Sequence, residues 1–351
     1  MEQLDSYLDE HQQRFEGELC EWLRIPSVST DKAFAGDVRQ AAQWLQRRSE
    51  AIGLETELIE TCGHPIVYAQ SDPIPGAPTV LVYGHYDVQP PDPLNEWQTP
   101  PFEPDIRGRN VYARGATDDK GQVITHVFSV ESWMKMLGRL PVQVKFLIEG
   151  EEECGSAGMN EFLEGRYDDG MSVQEKIRAD IAVISDTSQY APGIPAITYG
   201  LRGLCYFELH LTGPNQDLHS GAFGGSVTNP ANALAQMLSA IVDSEGRIQV
   251  PGFYDDILPL TQREQGQFEE LHFDDREYMQ QLGVAGLTGE QGYPTLQRRW
   301  SRPSFDINGL TSGYQGAGAK TVLPSRASAK FSFRIVPEQK PEKIANALET
   351  M

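Results

Sequence analysis

Leu4, Leu8, Phe15, Leu19 and Leu23 recur at helical spacing among polar residues at the start of the chain, and Pro26 ends the pattern. This predicts a surface helix. A second helical pattern runs through Val38, Ala42, Leu45 and Ile52, with Gly53 placed where a left-handed C-terminal cap is needed. Extended segments are predicted over residues 55–60, 65–70 and 79–83; the last does not alternate, which points to burial on both faces. A helix over 121–137, a strand over 142–148, a short helix over 156–163 and a strand over 179–184 follow. Helices and strands in alternation predict an α/β fold, a mostly parallel sheet covered by helices on both sides.

Past Asp186 the pattern changes. A long extended run over 196–211, a Gly213-Pro214-Asn215 turn, a helix over 229–242 and a strand over 327–336 predict an antiparallel sheet with helices. Residues 243–302 read as a polar irregular stretch, and Pro341 opens a last helix. A chain of 351 residues exceeds what one compact core accommodates. The expected organisation is a metal-binding catalytic domain over 1–195 and an α+β antiparallel domain over 196–351.

Charge narrows the function. Lys and Arg number 29 against 50 Asp and Glu, a formal net charge of −21, which disfavours nucleic acid and anionic membrane as partners. The four cysteines, Cys20, Cys62, Cys154 and Cys205, form no C-x-x-C pair, and no basic-then-apolar leader opens the chain. A reduced, cytoplasmic protein is expected. No apolar stretch approaches the roughly 20 residues that span a bilayer.

Candidate chemistry sits at the predicted strand ends. His85 and Asp87 follow the strand over 79–83, Glu152 and Glu153 follow that over 142–148, and Asp186 follows that over 179–184. Asp118 and Asp119 lie in a glycine-flanked loop just before a helix. In open parallel sheets, loops at the carboxyl ends of strands gather side chains at one place. So many carboxylates together repel unless cations separate them, and one or two divalent metals are the simplest remedy. Mixed imidazole and carboxylate donors suit zinc, with cobalt or manganese as alternatives.

The motifs carrying these residues resemble a known family, the M20 metallopeptidases, which includes carnosinase-like dipeptidases, carboxypeptidase G2 and succinyl-diaminopimelate desuccinylase. The resemblance rests on Gly84-His85-Tyr86-Asp87-Val88, Thr117-Asp118-Asp119-Lys120-Gly121, Glu151-Glu152-Glu153-Cys154-Gly155 and Tyr199-Gly200-Leu201-Arg202-Gly203. Asp217-Leu218-His219-Ser220-Gly221 and Ala319-Lys320-Thr321-Val322-Leu323-Pro324 complete it, and the dipeptidase branch fits best. The resemblance implies that His85, Asp118 and Asp186 hold one zinc, with Asp118 bridging to a second held by Glu153. It implies that Asp87 steadies the His85 ring and that Glu152 is the general base. It also implies a cis peptide between Asp118 and Asp119.

By the same resemblance, the second domain is an inserted lid through which the protein forms a homodimer. His219 of a partner subunit then donates to the oxyanion, while Arg334 clamps the carboxylate of a small peptide or N-acyl amino-acid substrate, with Thr321 beside it. Family members usually continue further and bring a late histidine to the second zinc; no histidine follows His272 here. A chain truncated at its C-terminus, with the first zinc site formed and the second weak or empty, is therefore expected. The leading function is zinc-dependent dipeptide hydrolysis; the alternatives are an N-acyl amino-acid deacylase or desuccinylase, and a catalytically impaired dimerisation module. His11, His64, His126, His210 and His272 carry no family motif and are assigned packing or surface roles, and Lys120 and Arg202 structural ones.

Overall fold

The computed structural model describes residues 2–165, 172–191, 193–194 and 196–351. Pro195, the predicted end of the first domain, lies outside the described residues. The chain separates into two compact units, Met1–Ala196 and Ile197–Met351.

The first unit begins with α1 (Glu2–Leu23) and α2 (Ala35–Ala51), followed by β1 (Glu55–Ile59), β2 (Ile66–Gln70) and β3 (Thr79–His85). A small hairpin of β4 (Asp105–Arg107) and β5 (Asn110–Tyr112) precedes α3 (Lys120–Leu137) and β6 (Gln143–Glu149); α4 (Ala157–Leu163), α5 (Val173–Lys176) and β7 (Ile181–Ile184) complete it. Five strands form one sheet in the order β1-β2-β6-β3-β7. β3 runs parallel to both β6 and β7, whereas β1, β2 and β6 pair antiparallel, so the sheet is mixed, with its parallel part at one side.

Side chains alternate across this sheet because the strand period is two. Val67, Ala69, Val82, Val144, Phe146 and Ile148 face a core shared with Trp22, Leu45 and Ile124 of α1, α2 and α3. Ile59, Ile66, Tyr68 and Leu147 face the other way, against Met159 and Phe162 of α4 and Val173 of α5. Leu81 and Tyr83 of β3 pack on that second cluster. Both faces are covered over β2 and β6, but of residues 79–83, expected to be buried on both faces, only Val82 is buried, and Ile181 and Ile184 of β7 are exposed.

The second unit contains a three-stranded antiparallel sheet of β8 (Gly203–Thr212), β10 (Ser304–Ser312) and β12 (Arg326–Ile335), with β12 central. Phe207, Phe331 and Phe333 on one face pack on Leu234 and Leu238 of α7 (Pro230–Ala240) and Ile344 of α11 (Pro341–Glu349). A short pair, β9 (Leu218–His219) with β11 (Val322–Leu323), and the turn of helix α6 (Ser220–Phe223) lie beside it.

Two expectations need correction here. The extended run does not begin at 196: the strand starts at Gly203. Residues 243–302, expected to be irregular, hold α8 (Gln262–Glu270), α9 (Asp275–Leu282) and α10 (Thr295–Trp300). α8 and α9 bury no residue, so no apolar stripe marks them, and their caps were not read as helix starts. Thr261 and Glu264 form a capping box, and Asp274 accepts from two backbone N–H groups of α9. β10 was also absent from the predicted elements.

Candidate metal centre and catalytic groups

Because β3, β6 and β7 are parallel, their carboxyl ends lie at the same edge of the sheet; His85 pairs with Glu149 and Tyr83 with Ile184. His85 is the last residue of β3 and fully buried. Its Nδ1 lies 3.1 Å from the Asp87 carbonyl oxygen and 3.3 Å from Asp87 Oδ1. A proton on Nδ1 is held there, and Nε2 is turned toward the loops.

Nε2 stands 3.0 Å from Asp118 Oδ1 and 3.6 Å from Asp186 Oδ2. These are ion-pair distances, yet the buried Nε2 makes no hydrogen bond of acceptable angle. The three donors all lie within 4.8 Å of one another. Tetrahedral donors with metal bonds of about 2.0–2.1 Å are about 3.3 Å apart, so the group fits a divalent cation. Burial pulls the His85 pKa down, but the hydrogen bond and charge of Asp87, with Asp119 and Glu152, carry it up to about 10. Proton and metal therefore compete for the same nitrogen.

The loop before α3 presents Asp118 through close backbone packing. The Asp118–Asp119 peptide is cis. Gly121 donates its N–H to Gly115 O at 3.2 Å, and a Cβ at Gly121 would lie 1.9 Å from Ala116 O. Asp119, buried, accepts from the His85 N–H at 3.2 Å, and a Cβ on Gly84 would meet its Oδ2 at 2.5 Å. Burial pushes the Asp119 carboxyl up to about 7. Lys120 is wholly buried and donates to Trp22 O (3.2 Å) and Ile25 O (2.8 Å), a tether to the end of α1, and burial lowers its pKa to about 7.

The loop after β6 is closed by Glu149, whose Oε1 accepts from Tyr83 Oη (2.6 Å) and Ser156 Oγ (3.1 Å). Glu152–Cys154 form a single 3₁₀ turn. Asp87 Oδ2 accepts the Glu153 N–H at 3.1 Å and the Ser29 hydroxyl at 2.6 Å. Glu153 is held by Gln89, which donates at 2.7 Å to its Oε2. Burial raises the Glu152 pKa; His85 opposes this, and the carboxylates of Asp186, Asp87 and Asp118 add to it. Burial also raises that of Glu153. Ser29 and Gln89 were not singled out from the sequence; Gln89 directly follows the Asp87 motif, whereas Ser29 carries no signal.

The remaining predicted groups lie in the second unit. His219 is exposed and paired across the short ladder with Val322. Its Nδ1 accepts the Gly221 N–H at 3.0 Å, and its Nε2 lies 3.2 Å from Thr321 Oγ1. In the neutral ring the proton therefore sits on Nε2, the donor form. Arg334 is exposed on β12 opposite Ser304, and Arg202 donates to Ser304 Oγ at 3.4 Å and Arg302 O at 3.2 Å. Burial lowers the Arg202 pKa, and the charge of Arg334 adds to that. His219 and Thr321 are brought together, and Arg334 stands on the larger sheet.

His85, Asp118 and Asp186, grouped beside the parallel strand ends of a helix-covered mixed sheet, form a candidate metal centre. The family model of peptidase family M20/M25/M40 matches residues 81–340. Cys-Gly metallodipeptidase DUG1 of Candida albicans is 34% identical over 352 residues, 96% of this chain and 72% of that protein. Human Beta-Ala-His dipeptidase is 36% identical over 352 residues, 96% and 68% of the two chains. Among solved structures, human carnosine dipeptidase 1 matches with a TM-score of 0.82 at 33% identity, covering 99% of this chain and 75% of that one. Sso-CP2, an M20 family metallo-carboxypeptidase of Sulfolobus solfataricus, gives 0.80 at 35% identity over 96% and 74%. The chain belongs to the M20 peptidase family.

Proposed function

We propose that the chain is a metal-dependent dipeptidase using zinc, which hydrolyses the amide bond of small peptides that end in a free carboxylate. The observation that carries this reading is the orphaned Nε2 of His85 between Asp118 and Asp186. His85, Asp118 and Asp186 would hold the metal, and Asp118 and Glu153 would contribute to a second. When bound, the metal polarises the scissile carbonyl and makes an attacking water more acidic.

Glu152, its pKa raised by burial, accepts the proton from that water and returns it to the departing amine. Asp87 holds the His85 ring in the tautomer that leaves Nε2 free. His219, carrying its proton on Nε2, donates to the developing oxyanion, and Thr321 orients it. Arg334 pairs with the substrate carboxylate in the two-pronged geometry of a guanidinium. The second unit serves as lid and homodimer contact, with His219 supplied to the partner's site. Four free cysteines suit a reducing, cytoplasmic setting, and among the described residues no helix is long and apolar enough to cross a membrane.

The relatives' names direct the substrate test to Cys-Gly and β-Ala-His. The zinc-loaded chain should cleave such dipeptides faster than N-acyl amino acids, and Glu152→Gln should lower turnover by about 10²–10⁴-fold while retaining zinc. Unchanged turnover in Glu152→Gln would remove the base assignment. Preference for N-acyl substrates would favour the deacylase alternative.

A further inference from the structure

The sequence assigns His126 no chemistry, yet the fold places it against a loop of the candidate centre. Its Nε2 lies 2.6 Å from the hydroxyl of Ser185, the residue directly before Asp186. The loop needs such an anchor. It leaves β7, which among the described residues is the outermost strand of the five-stranded sheet and pairs only with β3, with Ile181 and Ile184 52% and 60% exposed. His126 instead belongs to α3, whose Val123, Ile124, Val127 and Phe128 are buried in the main core. The same helix begins two residues after Asp118. One rigid element thus bears on two of the three donors grouped around the candidate metal position.

We infer that His126 is a positioning residue: through its hydrogen bond to Ser185 it holds Asp186 at the distance from His85 and Asp118 that a divalent cation requires. The inference rests on the reading of Asp186 as a ligand. Burial lowers the His126 pKa and so disfavours a positive charge on the ring. A neutral hydrogen bond contributes about 1 kcal/mol, or about fivefold in affinity, when it pre-organises a ligand.

The test is zinc affinity of the full chain, titrated against a competing chromophoric chelator, with thermal unfolding alongside. Ser185→Ala and His126→Phe should each bind zinc about fivefold more weakly, and the double variant should be no worse than either. His126→Gln, which keeps a polar nitrogen near the Nε2 position, should bind within about twofold of the parent chain. Asp186→Asn should lose far more, beyond about 100-fold.

Parent-like affinity in both single variants overturns the inference, as do losses that multiply to about 25-fold in the double variant. If His126→Phe fails to fold, Ser185→Ala and His126→Gln decide alone. If Asp186→Asn binds zinc as the parent does, the ligand reading itself fails and takes this inference with it. Loss in Asp186→Asn with no change in Ser185→Ala rejects only the positioning role.

Discussion

The backbone N–H of Glu153 donates to Asp87 Oδ2 at 3.1 Å, while Oδ1 of the same carboxylate lies 3.3 Å from His85 Nδ1. One buried side chain therefore couples the imidazole at the end of β3 to the turn after β6 that carries Glu152 and Glu153. Asp87→Ala strands the Ser29 hydroxyl, the Glu153 N–H and the His85 ring together. Zinc affinity should fall about 10–100-fold and unfolding free energy by about 2–4 kcal/mol. Asp87→Asn keeps the shape and should fall between the two. Metal titration and denaturant unfolding of the three proteins check this, and an Asp87→Ala chain that binds zinc normally would break the proposed coupling.

The loop bearing Asp118 depends on the absence of a single carbon atom. A Cβ at Gly121 would lie 1.9 Å from Ala116 O and 2.9 Å from its carbonyl carbon. Backbone on both sides must move to admit it. Gly121→Ala should cost at least about 3 kcal/mol or displace the loop and weaken zinc binding. Gly17→Ala is the contrast: this exposed glycine lies within α1, and nothing lies within 4 Å of its added carbon. Alanine there should stabilise by about 0.5–1 kcal/mol through helix propensity. Thermal unfolding of the pair distinguishes steric from conformational control, and equal effects would contradict the argument.

Much of this site was legible because strand ends and motifs coincide in the sequence. His85, Asp118 and Asp186 come from three separate segments: His85 ends β3, Asp186 follows β7, which runs parallel to β3, and Asp118 comes from the loop before α3. The apolar runs announced that arrangement. Polar helices were harder: α8 and α9 bury no residue, and their Thr261 and Asp274 caps are local signals without periodic support. The hydrogen bonds that brace the site's groups from distant segments were not legible. Ser29 reaches Asp87 across 58 residues and His126 reaches Ser185 across 59, and nothing local to any of the four encodes the meeting.

His219 offers a separate test in the second unit. Because Gly221 donates to Nδ1, the neutral ring presents its proton from Nε2, with Thr321 Oγ1 3.2 Å away. Removing an oxyanion donor costs about 10²–10³-fold in turnover, so His219→Ala should lose that much with zinc content unchanged. Thr321→Val removes the oxygen near Nε2 but keeps the side-chain volume; a loss of about fivefold is expected. Steady-state kinetics with metal analysis on both variants separates the roles. Zinc loss in His219→Ala would show that the residue is a ligand rather than an oxyanion donor.

Acid stability should follow Glu131 of α3. This buried α3 carboxylate accepts from Arg14 Nη2 at 2.6 Å, from Tyr7 Oη at 3.1 Å and from Arg48, joining α1, α2 and α3. Burial pushes its pKa up, but the hydrogen bonds from Arg14 and Arg48 outweigh this and leave it below the ordinary 4.5. With the folded pKa depressed, the carboxylate's stabilisation is complete above about 4.5 and drains away as the pH falls toward the folded value. Glu131→Gln removes the buried carboxylate that Arg14 and Arg48 share and leaves them Glu18, at 2.8 and 2.6 Å, as their remaining partner. Arg14 is 36% exposed and Arg48 only 11%, so the cost at neutral pH should be about 2–4 kcal/mol, at or below the fully buried case. Near pH 3 the parent should lose most of that advantage, and the two denaturation midpoints should converge. Midpoints that stay equally far apart from neutral pH down to about 3 would show that packing of the side chain, rather than its charge, holds the three helices together.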